Sequence, residues 1–206
     1  MIVHSLFKII KKFNWRLWSA LAATLLIPAL YQTLRIFFLG DMPGDWGVNI
    51  ASQLSWVNLI YEIVEEALIL PLFFLLGKSL GSKEELTNKT RTGLIISFAV
   101  YAILSGLIVA FARPLCIWMA SNPGTMDATV TYIRLESISF AIGIISKFIT
   151  VLFVTLGKDI YMYVILIIRT ILTIILDTFL ISGLPISLYI GVNGIAVGNI
   201  IVSAVL

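Results

Sequence analysis

Apolar residues run along this chain in long, nearly unbroken stretches, without the alternation of a half-buried strand. The stretches lie near Leu17 to Leu39, Ile50 to Leu76, Gly93 to Ala112, Ala128 to Leu156, Ile160 to Ser182 and Ile190 to Leu206. Each is about the length, roughly 17 to 25 helical residues, that crosses a hydrocarbon core of about 30 Å. Barrel strands would instead alternate apolar and polar positions over about ten residues. The pattern therefore predicts an all-α fold, a polytopic transmembrane bundle of about six helices forming one lobe over residues 1–206.

Polar residues interrupt these runs on stripes. At about 100° per residue, Ser55, Asn58, Glu62, Glu65 and Glu66 share one broad face of the second helix. The first helix aligns Thr24, Pro28, Tyr31 and Arg35; the fourth aligns Tyr132, Glu136, Ser139, Gly143, Lys147 and Thr150; the fifth aligns Arg169, Thr170, Thr173 and Asp177. The third is uncharged from Gly93 to Ala112 and reads as a lipid-facing wall. An ionised residue at mid-membrane costs about 2.5 to 3.5 kcal/mol, and each Leu, Ile, Phe or Val contributes only about 0.3 to 0.6 in return. Three charged glutamates on one span must therefore face water, face partners or be protonated. A polar cavity opening outward between four helices is the simplest container. Arg134, near the outer end of its helix, reads as a cation reaching for the headgroups.

Composition agrees: 60% of residues are apolar and only 12% charged, with mean hydropathy +1.05, whereas soluble domains are about a quarter charged. The first run exceeds the apolar core of a secretory signal and is read as a retained helix. Lys8, Lys11, Lys12 and Arg16 precede it; Lys78, Lys83, Lys89 and Arg91 fall between the second and third spans, and Lys158 between the fourth and fifth. The positive-inside rule makes these segments cytoplasmic, which puts the N-terminus inside and Asp41, Asp45, Arg113 and Asp127 outside. The expected location is the plasma membrane. The Asn88-Lys89-Thr90 sequon falls in a cytoplasmic loop and should stay silent.

Several classes of chemistry drop out. Cys116 is the only cysteine and His4 the only histidine, so neither an intrachain disulfide nor a cysteine or histidine metal cluster can form. No Ser/His pair, H-E-x-x-H motif or facing aspartate pair suits intramembrane proteolysis. Gly77-Lys78-Ser79 lacks the first glycine of a phosphate loop, because Leu72 stands there. There is no filter-like loop for a channel and no basic stripe for nucleic acid. Neither an enzyme nor a cofactor is expected.

One family resemblance is carried by short motifs in order. "YVILIIRTILTIILDTFLI", Tyr163 to Ile181, followed by "IGVNGIAVGNIIVSAVL", Ile190 to Leu206, resembles the fifth and sixth helices of the multidrug and toxic compound extrusion family. Leu176-Asp177 matches its L-D, Leu180-Ile181 the helix ending, and Gly191, Gly194 and Ala196 its glycine signature, while Thr173 replaces the usual asparagine. "TYIRLESISF", Thr131 to Phe140, and "PLFFLLGKSLGSKEE", Pro71 to Glu85, resemble its fourth-helix opening and second-helix exit. The resemblance implies secondary transport, with an organic and often cationic solute exchanged for H+ or Na+ between two six-helix lobes. This chain supplies one lobe, so a second lobe or a second copy is the implied partner besides lipid. The chain is expected to be part of a protein about twice as long, or else to dimerise.

In family members that couple through this lobe, an acid on the fifth helix binds the ion together with an acid on the first. Here the first helix carries Arg35, and its nearest acid is Asp41. The expected substitute is an acidic coupling site of Asp177 with Glu62, Glu65 and Glu66, with Na+ at Asp177 as one form. Tyr31, Arg35, Asn58, Glu136, Lys147, Arg169 and Thr173 are the expected cavity residues, and Tyr31, Trp56 and Tyr61 are candidates to stack on a flat cation. Gly191, Gly194 and Gly198 are expected to serve close helix packing. Two alternatives share the bundle: a membrane binding or assembly module without transport, and a lipid-linked oligosaccharide flippase, which calls for more cavity arginines.

Overall fold

Helices carry the chain wherever it is described. The computed structural model describes residues 15–40, 50, 53–119, 123–158 and 160–206. His4, Lys8, Lys11, Lys12, Asp41, Asp45 and the side chain of Arg16 lie outside the described residues. The elements are α1 (Trp15–Gly40), α2 (Ser55–Lys78), α3 (Lys83–Trp118), a 3-10 turn (Pro123–Thr125), α4 (Met126–Thr155), α5 (Ile160–Leu180) and α6 (Asn193–Val205). No strand occurs among the described residues, and the fold is an all-α bundle.

The expected third span, Gly93 to Ala112, is the middle of a longer helix. Ser82 caps α3, accepting a hydrogen bond from the Glu85 N–H at 3.3 Å, and Glu85 pairs with Lys89 one turn on at 2.6 Å. The hydrogen bond from Lys89, and then its charge, hold the Glu85 carboxyl below its ordinary range. Polar capping thus extends the helix well before its apolar core begins.

Three helical segments are long and apolar enough to cross a membrane: Lys83–Trp118, Pro123–Thr155 and Ile160–Leu180. In α1 the apolar run Trp18–Tyr31 is shorter, as is α6. α2 has the length for a crossing, but Glu62, Glu65 and Glu66 sit in its middle. Large apolar side chains lie open on the outer faces, among them Ile95, Ile103, Leu107, Ile167 and Ile171. In water such faces would be a liability, and in lipid they are the expected surface.

Named contacts fix the helix directions. Tyr61 meets Ser105, and a Cβ on Gly93 would meet Leu72, so α2 and α3 are antiparallel. Tyr61 stacks on Phe140 and Glu65 pairs with Lys147, so α2 and α4 are parallel. Ser19 meets Tyr163 and Arg35 meets Asp177, so α1 and α5 are parallel. Lys78, Lys83, Lys89, Arg91 and Lys158 consequently gather at one end of the bundle.

α4 is the hub, packing most extensively on α3 and α6 and also on α2 and α5. α3 buries a series of small residues, Gly93, Ser97, Ser105, Ala112 and Cys116; a Cβ at Gly93 would meet Phe148 of α4 as well as Leu72 of α2, and such residues let backbones approach closely. Gly191 sits at φ +76°, the left-handed region, where the loop turns into α6. Gly194 lets α6 lie against the end of α5, since a Cβ there would stand 2.7 Å from Ile181 Cγ2 and 3.0 Å from the Leu180 carbonyl.

Candidate functional site

Six helices wall a cavity of about 670 Å³, α3 through Tyr101 alone. Thr33 and Arg35 come from α1, Ser55 and Asn58 from α2, Arg169 and Thr173 from α5, and Asn199 and Ser203 from α6. α4 contributes the longest strip, through Tyr132, Glu136, Ser139, Gly143 and Lys147. Their spacing of three or four residues stacks them on one helical face. Of the residues expected to line a cavity, Arg35, Asn58, Glu136, Lys147, Arg169 and Thr173 do so; Tyr31 stands behind the wall, its hydroxyl donating to Asp177 Oδ2 at 2.7 Å.

Charge in this cavity is arranged as two neutral pairs and two residual groups. Arg35 engages Asp177 with both arms of its fork, Nε to Oδ2 at 2.7 Å and Nη2 to Oδ1 at 2.9 Å. Asp177 is only 1% exposed. Lys147 pairs with Glu65 across α4 and α2. Glu136, 2% exposed, accepts a hydrogen bond from Asn199 Nδ2 at 2.7 Å and forms no ion pair among the described residues. Arg169 likewise forms no salt bridge among the described residues, and its Nε is buried without an acceptor. Asn58 Oδ1 is a buried acceptor without a donor.

The expected acidic cluster does not assemble. Asp177 is committed to Arg35 and Tyr31, so a guanidinium fills the place where Na+ was expected, and both carboxylate oxygens are taken. Of the second-helix acids only Glu65 turns toward the bundle, while Glu62 and Glu66 are exposed. The reason is angular: Glu62 lies about 40° and Glu66 about 80° round the helix from Asn58, so a stripe this wide cannot all face one cavity. Among the described residues no cluster of three or more His, Cys, Asp or Glu could hold a metal ion.

The aromatic residues divide in the same way. Tyr61 is core: it stacks on Phe140 with ring centroids 4.3 Å apart and bonds Ser105 through its hydroxyl at 2.7 Å. That leaves it no free face for a ligand, whereas Tyr101 and Phe140 reach the cavity wall. Arg134 is exposed and donates from Nε to the Val109 carbonyl at 3.1 Å, fastening α4 to α3. Asn199 and Ser203 escaped the sequence reading because they sit in a helix read for its glycines. The available signal was an amide and a hydroxyl four residues apart in an otherwise apolar segment.

Compared with protein-family models, curated proteins and solved structures, the chain matches none.

Proposed function

We propose that the chain is one lobe of a secondary active transporter similar to the multidrug and toxic compound extrusion family. On this reading it is a multi-pass protein of the plasma membrane with its N-terminus cytoplasmic, and it exports an organic solute with a cationic group in exchange for H+ or Na+. The observation that carries the reading is the buried Glu136 carboxylate, without an ion pair, in a cavity of about 670 Å³ inside an apolar bundle. An acid held this way attracts either an organic cation or a coupling ion, and competition between the two is what antiport requires. Arg35, the cation in its field, is already saturated by Asp177. The coupling role expected at Asp177 therefore moves to Glu136.

The partner is a second lobe or a second copy. Glu62 and Glu66 stand on an open face of α2 without an ion pair among the described residues, and bare carboxylates against lipid cost about 2.5 to 3.5 kcal/mol each. A polar cleft between two lobes removes that cost. The flippase reading is second: Arg35, Lys147 and Arg169 do line the wall, but the first two are neutralised by Asp177 and Glu65.

The test is efflux of rhodamine 123, a cationic dye, from vesicles bearing the protein, driven by a pH or sodium gradient. Gradient-dependent efflux that Glu136→Gln abolishes at normal expression supports the reading. Binding of the dye without gradient-driven efflux would make the chain a binding module.

A further inference from the structure

Among the described residues, Arg169 is the cavity cation that forms no salt bridge. Among the acids, Asp177 lies two turns further along the same helix with both oxygens bonded to Arg35. Glu65, whose field reaches Arg169, gives Oε2 to Lys147, and Glu136 Oε1 accepts from Asn199. Arg169 therefore lines the cavity with a buried Nε that has no acceptor. A buried donor without a partner is costly, and more so when it is charged. The guanidinium edge is a planar fork that matches the two oxygens of a carboxylate or phosphate. Lys147 lies on the same wall but is paired with Glu65, which leaves Arg169 as the cation facing the cavity without an ion pair among the described residues.

We propose that Arg169 holds an oxyanion of the solute, a carboxylate or a phosphate group, so that the transported molecule is dipolar and not a simple cation. The assignment rests on the cavity being the solute site, with the cationic group at Glu136. Asn58 Oδ1 then accepts from a solute N–H or O–H. Glu136 and Lys147 are eleven residues apart on α4, about 16 Å along the axis, which keeps the acidic and basic ends of the cavity distinct.

The test uses two dyes that differ in one group, rhodamine 123 (a methyl ester) and rhodamine 110 (the free carboxylic acid), with binding read by fluorescence anisotropy in nonionic detergent. Wild-type protein should bind rhodamine 110 about tenfold or more tighter, and inorganic phosphate should displace rhodamine 110 before rhodamine 123. Arg169→Gln should bring the ratio to about one, while Arg169→Lys keeps part of it because an ammonium supplies charge without the fork. A wild-type ratio of one or less overturns the assignment, as does a ratio unchanged in Arg169→Gln. Should the Gln variant fail to fold, the phosphate displacement decides alone. Rhodamine 123 binding without a carboxylate preference removes only the Arg169 assignment, whereas failure of both dyes to bind overturns the solute site as well. Repeating the ratio in phosphatidylglycerol nanodiscs separates sources: a preference seen in detergent and lost in nanodiscs means that a lipid phosphate occupies Arg169, and one that persists means a soluble solute.

Discussion

Arg35 and Asp177 join the first and fifth helices through two side-by-side hydrogen bonds of 2.7 and 2.9 Å, with the carboxylate almost wholly removed from solvent. Removing one partner of such a pair leaves an uncompensated buried charge at a cost of about 3 to 5 kcal/mol, whereas replacing both with apolar residues is often neutral. Arg35→Met and Asp177→Leu should each destabilise the protein strongly, and the double variant should recover most of the loss. Thermal unfolding in detergent of the four proteins measures the coupling. Additive losses would mean that the pair is energetically idle.

The three glutamates of α2 should behave differently. Glu65→Gln strips the counter-charge from Lys147, makes the cavity more positive and should weaken rhodamine 123 binding several-fold, by about 1 kcal/mol or more. Glu62→Gln and Glu66→Gln should leave that affinity within about twofold, as exposed charges outside the site are screened. An equal effect of all three in a titration by anisotropy would return Glu62 and Glu66 to the cavity.

The exposed pair has its own consequence. If α2 crosses the membrane as the proposed function requires, Glu62→Leu with Glu66→Leu removes two carboxyl groups from its open face, and insertion of α2 should improve by several kcal/mol on a scale of about 3 per charge. Any association through that face should weaken at the same time. Glycosylation-mapped insertion of the isolated helix and the detergent-corrected mass of the whole protein read the two effects separately.

Close packing at the α5–α6 junction gives a fourth prediction. Gly194→Ala would press a methyl against Ile181 and the Leu180 carbonyl, the latter being backbone that cannot swing aside. Overpacking of this kind costs about 1 to 3 kcal/mol. Gly198→Ala, whose Cβ would meet Leu176 at an ordinary 3.6 Å, should cost less, and the difference should appear as a lower unfolding temperature for the first variant only.

The all-α class was legible because the apolar runs are long and do not alternate, and three of the helices they became, Lys83–Trp118, Pro123–Thr155 and Ile160–Leu180, are long and apolar enough to cross a membrane. The polar faces of four helices were legible too, since i, i+3, i+4 spacing puts Glu136, Ser139, Gly143 and Lys147 on one face of α4. Pairing was not. A helical wheel gives the angle of Glu62 but not the width of the opening it must share, and it gives no sign that Arg35 would reach Asp177 142 positions along the chain. Asn199 was hidden for a related reason: one amide in a glycine-rich helix carries no periodicity, and its role follows only from lying opposite Glu136.

The described tethers of α1 to the rest of the bundle are polar at both ends, Ser19 to Tyr163 at one and Tyr31 and Arg35 to Asp177 at the other, while Leu25, Leu26 and Leu30 point outward. Attraction between charges scales inversely with the dielectric around them, about twentyfold between a dry interior and bulk water in the limiting case. Arg35 lines the cavity. The Arg35–Asp177 part of the grip on this helix therefore depends on hydration: it is strongest while the cavity is dry and weakens as water enters around Arg35, with no change in sequence, ligand or pH.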